Sequence, residues 1–544
     1  MKLLRLKIKT RFRSLQDDFE ISFHKSNDSK IGEFHPFCFA GLNGSGKSNV
    51  LEVLGSIFYH LECCTLEFLP EDFAVNFKPE IGDPDSFEIE YLILPRGTTK
   101  RNNLRKENLV KVIIIKEKER KPKIAIVENW QDETQKYEFE EIDKPAKVFL
   151  PELVIGYSSG ENEILSLPFF KTKFIHYDEY TQYLNQGYRN YKEPENSLVY
   201  IDYSLSQAVL LSNFLLQPKE VLNPIKKELN IDDIKKFRLV FYHNRIINEK
   251  PILKLFGKTI QKLKNCATSW YYDSSSSITY IDYSVTPEIR EAFRKNFKND
   301  PFELFRTFQI LLTLNLYFVD SHSKGLKKTI YNTNSLFAEE KIPVPATDDH
   351  VFYFNDFLIK KNDEENSFLI KSFSDGEHQF LHTMGICLML KNRSTLLLLD
   401  EPETHFNPDW RSKFIHTLKK CLEFGGWSNL MKDILITTHS PFIISDCNKE
   451  RVKWFKKEGL FSQIIPLDFE TYGASIDYIH KRLFNKNLIP VDAFEKLKTL
   501  IETGNINDLR KGIEEFGESS QKQFLYRRIY ELTENKSKSK RKKK

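Results

Sequence analysis

Four short stretches carry residue types suited to a phosphorylated ligand. The first is GLNGSGKSN, Gly41 to Asn49. Gly41, Gly46, Lys47 and Ser48 fall at the G-x-x-x-x-G-K-S spacing of a Walker A phosphate loop. Glycines let the backbone turn tightly and aim N–H groups at phosphate oxygens, and a helix starting there adds its positive end. Lys47 would reach the β- and γ-phosphates, and Ser48 would ligate Mg2+. The second stretch is STLLLLDEPETHFNPDW, from Ser394. It reads as a buried strand ending in two carboxylates. Asp400 would hold Mg2+, directly or through water, and Glu401 would polarise the attacking water as general base. Successive strand residues point to opposite sides, so the two acids can hold different roles. The third is SFSDGEHQFLHTMGICLML, from Ser372, in which Ser374 and Gly376 open a helix. A serine, a glycine and a helix N-terminus form an anion site. Alone this reads as a helix cap; its place 26 residues before Asp400 argues for function. The fourth is DILITTHSPFIISD, a strand with His439 at its tip. That strand would bring His439 to the same sheet edge as the other motifs, where it could hydrogen-bond the γ-phosphate.

Positioning these residues requires strands that converge on one edge. PFCFA is a short buried strand feeding the glycine loop, and Val50, Leu51, Val53, Leu54, Ile57, Phe58 and Leu61 then repeat at helical spacing. Strand, glycine loop and helix is the context a phosphate loop needs. A first strand, Lys2 to Lys9, precedes it, with a second at FEISFH. The β-rich runs FEIEYLIL, LVKVIIIK and KIAIVENW predict an antiparallel side lobe. KVFLPELVIGYSSGENE looks like a return to the core sheet. The fold class expected is α/β: an ATPase head with a mixed sheet and antiparallel side lobe, a large mainly helical insertion, and a helical C-terminal segment. The boundaries expected are 1–170 for the N-terminal part of the head, 171–346 for the insertion, and 347–450 for the rest of the head. Residues 451–535 would be helical, with Asp492 as an N-cap and Gly504 as a stop. Residues 536–544, KSKSKRKKK, hold seven basic residues in nine and read as a disordered tail or an electrostatic hold on nucleic acid. YIDYS occurs at Tyr200–Ser204 and Tyr280–Ser284 with unmatched flanks, so it is no duplication.

Composition sets the compartment. Charged residues make up 29% and hydrophobic ones 40%, ordinary for a soluble protein of 544 residues. Seven scattered cysteines show no zinc spacing, and their odd count without pattern fits a reducing compartment. MKLLRLKIKT alternates charge and apolarity, unlike a signal peptide, and no apolar run approaches the ~18 residues needed to cross a bilayer. The expectation is a cytoplasmic protein with no membrane partner.

The ordered set of motifs resembles the ABC-type ATPase heads of the RecF/SMC/Rad50/OLD group. The asparagines Asn43 and Asn49 within GLNGSGKSN and the N-terminal FRSL favour these DNA-associated heads over transporter subunits. GYSSGENEILSLPF, TYGASIDYI and FGESSQKQFLYRRI are similar to the PtuA-type ATPase of Septu and retron anti-phage defence systems. The resemblance implies ATP with Mg2+ between two heads, so that dimerisation, or a higher oligomer, is ATP-linked. Gly41, Asn43, Gly44, Ser45, Gly46, Lys47, Ser48 and Asn49 would face the signature Ser374, Gly376 and Glu377 of another copy. Arg13 matches a basic residue that contacts phosphate in related heads; read alone, it is equally a surface strand charge. Glu401 and His439 would be catalytic, with Ser48 and Asp400 on the metal. The implied partner is an HNH nuclease of the PtuB kind, joined in retron systems by a reverse transcriptase with its RNA and msDNA. Direct nucleic-acid binding stays open. Two departures stand out: SDGE replaces the SGGE or SGGQ of many relatives, and no Q-loop glutamine follows the side lobe. Tyr157 to Glu163 occupies that place and itself mimics a signature with SSGE.

Arg411-x4-His416 fits the loose spacing of an RNase motif but lies in the helix after Asp400 and reads as structural. His243-Asn244-Arg245 lacks flanking metal ligands, and no acidic nuclease cluster follows His439. The chain is thus expected to be an ATPase and not itself a nuclease. Three functions fit: an ATPase governing a separate nuclease in phage defence, a RecF-like repair factor clamping DNA, or a nucleotide-binding scaffold that barely hydrolyses.

Overall fold

The computed structural model describes residues 1–544 except 27, 29, 68, 99–103, 132–134, 161, 187–195, 248, 323–324, 333–345, 363–366, 391–392, 424–428, 485–489, 518, 520–521 and 542–544. In chain order the strands of the N-terminal third are β1 (Lys2–Ile8), β2 (Phe19–Ser22), β3 (Phe37–Gly41), β4 (Phe87–Ile93), β5 (Val110–Lys116), β6 (Lys123–Val127), β7 (Glu140–Glu141), β8 (Leu153–Ser158) and β9 (Leu198–Tyr200). The middle contributes β10 (Ile231–Tyr242), β11 (Ile246–Ile247), β12 (Lys250–Pro251), β13 (Ser269–Asp273), β14 (Ile278–Ser284), β15 (Phe352–Lys361) and β16 (Ser367–Leu369). The last are β17 (Thr395–Asp400), β18 (Lys432–Thr438), β19 (Val452–Glu458) and β20 (Phe461–Ile465).

A seven-stranded sheet, ordered β20-β19-β3-β18-β17-β8-β9, forms the centre. All its pairs are parallel except the β19/β20 hairpin. Every residue of β17 and β18 is buried, as continuous apolar runs covered on both faces require. Parallel pairing carries the C-termini of every strand but β20 to one edge, where open α/β sheets bind ligands. The register fixes which residues meet there: Asp400 pairs with Thr437 and Ser158, Thr438 with Ala40, and Gly41 with Phe455.

The second sheet, β2-β1-β4-β5-β6-β7, is antiparallel and forms the side lobe. In β1 the apolar side chains point inward, while Arg5 pairs with Glu88 and Glu90 across the strands. Leu3, Leu6 and Ile8 share one core with Leu51, Leu54 and Phe58 of the helix Lys47–Thr65, which locks the helix behind the phosphate loop between the two sheets.

Three expectations need correction: the domain bounds, the Asp492 cap and the disordered tail. The insertion carries more helix than strand, as expected. It also contains an antiparallel sheet, β13-β14-β10-β15-β16, and β15 at 352–361 belongs to that sheet rather than to the resumed head. The β10/β15 register shifts at Ile231/Asp233, Ile234/Lys236 and Lys236/Arg238, and these irregularities break the alternation by which a strand is read from sequence. The central sheet also reaches further than 170 and 450, because β9, β19 and β20 belong to it. Met1–Ala474 form one compact unit and Ser475–Lys544 another. The latter is helical, with helices at Ile476–Leu483, Val491–Thr503, Ile506–Glu515 and Lys522–Arg541 and a small core of Leu497, Leu509 and Leu525. There Pro490 occupies the N-cap and Asp492 lies in the first turn, while Gly504 ends the helix in the left-handed region at φ 62°. The last helix continues into the basic stretch as far as Arg541 instead of giving way to a disordered tail at 536; Lys542–Lys544 lie outside the described residues. Among the described residues no helix is long and apolar enough to cross a membrane.

Candidate nucleotide site

The loop between β3 and the helix Lys47–Thr65 is shaped by its glycines. A Cβ at Gly41 would lie 2.7 Å from the Ser45 hydroxyl and would collide with the Phe455 carbonyl. Gly46 is the helix N-cap at φ 89°, a conformation that strains L side chains, and a Cβ there would strike Ser462 and Ser14. Asn43 and Gly44 form the exposed tip. Ser45 Oγ is buried with no hydrogen-bond partner among the described residues. Asn49 Oδ1 accepts from Ser14 Oγ at 3.5 Å, which ties the loop helix to the segment carrying Arg13. Arg13 is exposed, its guanidinium 5.8 Å from the Phe12 ring, and its charge reaches Glu52.

Lys47 is 4% exposed, and its ammonium donates to the Gly41 carbonyl at 3.1 Å and the Leu42 carbonyl at 3.2 Å. Its third neighbour is His439 Nε2 at 2.9 Å. Among the described residues it has no carboxylate at ion-pair distance, and burial depresses its pKa. A buried cation and an orphaned hydroxyl on a helix N-terminus fit an anionic phosphate group.

Asp400 ends β17. Its Oδ1 accepts from Ser48 Oγ at 2.7 Å and from Thr437 Oγ1 at 2.6 Å, and its Oδ2 from Asn162 Nδ2 at 2.8 Å. Mg2+ in phosphate sites takes one or two protein oxygens and completes its shell with phosphate and water. The adjacent Ser48 and Asp400 oxygens suit that role. Glu401 is already off the strand, in the left-handed region at φ 48°. Its N–H is held by the Thr437 hydroxyl at 3.0 Å. This turn, and not the strand alternation expected from sequence, is what separates the two acids. It sends Glu401 Oε1 to His439 Nε2 at 3.1 Å. The hydrogen bond from His439, aided by its charge and that of Lys47, holds the Glu401 carboxyl below the usual range despite partial burial.

The structure thus brings Lys47, Ser48, Asp400, Glu401 and His439 to one edge. It places the signature elsewhere. Ser374 is the N-cap of the helix Asp375–Met389 in a full capping box: its hydroxyl accepts from Glu377 N–H at 3.3 Å, and its own N–H donates to Glu377 at 2.8 Å. Glu377 also pairs with Lys361 at 3.0 Å. A Cβ at Gly376 would lie 2.8 Å from the His405 carbonyl, so this glycine permits close approach of the loop after Asp400. Ser374 is exposed, and among the described residues none of the three signature residues bonds to the phosphate loop of its own chain.

Sequence reading overlooked several groups. Asn162, within the SSGENE stretch, bridges Asp400 at 2.8 Å and Glu52 at 3.3 Å, from the place where a Q-loop glutamine was sought. The signal was an asparagine where only glutamine was looked for; Glu161 beside it lies outside the described residues. Burial pushes Glu52 up to about 7, with Asp400 adding to the rise and Asn162 and Arg13 opposing it. Burial raises Glu403 likewise to about 7, and it accepts a hydrogen bond from Thr438. Gln379 braces the same edge, donating to the Ser159 carbonyl and accepting from His405 N–H, each at 3.3 Å. Arg411 is structural, as expected: it donates to the carbonyls of Glu403 and Thr404, while His416 is exposed further along the helix. His243 bonds Thr279 at 2.8 Å and gathers no metal ligands among the described residues.

Comparison with known proteins agrees at a coarse level. Residues 209–445 match the family described as AAA domain, putative AbiEii toxin, Type IV TA system. This supports a P-loop ATPase with an α/β fold that binds ATP. The matched span holds the signature, Asp400–Glu401 and His439 but not the phosphate loop, which stands on its own motif and geometry. The chain is also similar to protein ea59 of Escherichia phage lambda, 27% identical over 111 residues. That stretch is 20% of each protein, so the chain spans about a fifth of this relative's length.

Proposed function

We propose that this chain hydrolyses ATP and that its nucleotide state governs a partner HNH nuclease in anti-phage defence, of the Septu or retron kind. The observation that carries the catalytic half is the meeting of Lys47, Glu401 and His439 beside the Ser48–Asp400 pair. In this reading Lys47 and the loop N–H groups bind the β- and γ-phosphates, with Arg13 at the rim. Mg2+ held by Ser48 and Asp400 supplies neutralising charge across the phosphates. Asn162 fixes the Asp400 carboxylate. Glu401 accepts a proton from a water as its oxygen bonds to the γ-phosphorus; the bond to the bridging oxygen breaks, and its electron pair leaves with ADP. His439 Nε2 hydrogen-bonds the γ-phosphate oxygens, where negative charge is carried through the reaction.

Support for the defence half is contextual: the family's description names a putative AbiEii toxin of a Type IV TA system, and a stretch of a phage protein is similar. In this reading the exposed Ser374, which among the described residues makes no bond to its own phosphate loop, would serve a second copy, so ATP would favour the dimeric state. Co-expression with the neighbouring genes tests the proposal. An HNH protein should co-purify, and Lys47→Ala should abolish protection against phage. Protection by this chain alone, or undiminished in Lys47→Ala, would contradict it. The RecF-like and scaffold readings predict, respectively, no nuclease partner and no effect of Glu401→Gln on turnover.

A further inference from the structure

The insertion sheet ends in an edge strand, β13, whose SWYYD sequence exposes three consecutive aromatic rings. Trp270, Tyr271 and Tyr272 are 49%, 50% and 51% exposed. Rings of this size at a monomer surface mark a contact site. They also continue inward. Tyr271 stacks on Tyr280 of β14 with centroids 4.8 Å apart and planes at 20°. In register beyond it lie Val240 and Tyr353, and Tyr242 stacks against Tyr353 at 6.1 Å and 27°. One face of the sheet therefore carries the row Tyr271, Tyr280 and Tyr353, while Trp270 and Tyr272, alternating with Tyr271 along β13, project from the opposite face, where Lys264 approaches Trp270.

The chain leading into this strand is purely basic. From Lys250 to Tyr272 there are five lysines and no aspartate or glutamate. Lys258 and Lys262 stand one turn apart on the exposed face of the helix Gly257–Asn265, with Lys254 exposed just before it. Lys264 lies 3.8 Å from the centre of the Trp270 ring. A peptide adding to the β13 edge would need only backbone groups and apolar pockets. Two exposed rings, Trp270 and Tyr272, flanked by lysines instead match the two halves of a single-stranded polynucleotide, whose bases stack and whose phosphates attract cations.

We propose that the β13 edge and its lysine helix bind single-stranded nucleic acid, with bases stacked on Trp270 and Tyr272 and phosphates met by Lys254, Lys258 and Lys262. This surface is independent of the nucleotide site and stands whether or not the chain hydrolyses ATP. Fluorescence anisotropy of labelled oligothymidylate and oligouridylate with the full chain tests it, at low and at physiological salt. The wild type should bind, and the better of the two oligomers tells DNA from RNA. A Trp270→Ala/Tyr272→Ala double variant should bind about tenfold or more weakly. Lys258→Glu/Lys262→Glu should weaken binding and flatten the dependence of log affinity on log salt by about 0.7 per lost phosphate contact. Should the aromatic variant fail to fold, the exposed lysine variant decides alone. Wild-type affinity in both variants would overturn the proposal, as would binding abolished only by removing Lys536–Lys544. No oligonucleotide binding, with the aromatic variant instead losing a protein partner, would assign the edge to strand addition and overturn it equally.

Discussion

Lys47 Nζ and His439 Nε2, 392 residues apart in the chain, lie 2.9 Å from each other, and Glu401 Oε1 is 3.1 Å from the same nitrogen. One imidazole nitrogen is a donor or an acceptor at a given moment, never both. It either accepts from the ammonium or donates to the carboxylate. In the proposed reading a bound phosphate would draw the ammonium away and free this nitrogen to donate to the γ-phosphate oxygens beside Glu401.

Lys47→Ala removes the buried cation. ATP affinity should fall about 10- to 100-fold, the worth of one or two charge-assisted hydrogen bonds. Calorimetric titration reads this directly, and unchanged affinity would mean the loop does not cradle the phosphates.

The pH dependence of turnover probes the Glu401–His439 contact. The His439 hydrogen bond depresses the Glu401 pKa, so the wild-type base stays ionised well into the acid range. In His439→Ala that support is gone, and the acid limb of the residual rate profile should move to higher pH. A limb that stays in place would separate the two residues functionally.

Asn162→Ala leaves Asp400 and Glu52 without the amide that bridges them. ATP binding should persist, while the Mg2+ concentration for half-maximal turnover rises several-fold. An unchanged Mg2+ curve would make Asn162 a structural brace only.

Glu403 gives a stability prediction. Burial raises its folded-state pKa to about 7, against about 4.3 when unfolded. Between these values the native state binds more protons than the unfolded one, so stability falls as pH rises from about 4 to about 7 and levels off above. Each pKa unit of difference corresponds to about 1.4 kcal/mol. Thermal melts of nucleotide-free Glu403→Gln should lose less between pH 5 and pH 8, conditions on the order of the two pKa values, than wild type does.

How much of this was legible depended on the physics of each element. Leu396 to Asp400 and Phe37 to Gly41 could be read because strands buried on both faces are continuously apolar, and the glycine spacing is dictated by backbone geometry. From those, the meeting of Lys47, Asp400 and His439 followed, since parallel strands share an edge. The Glu401 turn was not legible, because a left-handed non-glycine residue depends on its Thr437 anchor in another strand. Asn162 was missed because its role rests on a contact with a residue 238 positions away. The sheet within the insertion was missed because β10 and β15 pair with shifted register, and the strand Val452–Glu458 because its charged end, KKE, hides its place beside β3.

The most direct test of the account is Glu401→Gln, assayed for ATP affinity and for phosphate release on the same preparation. The account predicts affinity close to wild type, with turnover lower by about 100-fold or more, the usual contribution of a general base. Turnover equal to wild type at full affinity would contradict it, because the carboxylate at the tip of β17 would then take no part in the chemistry.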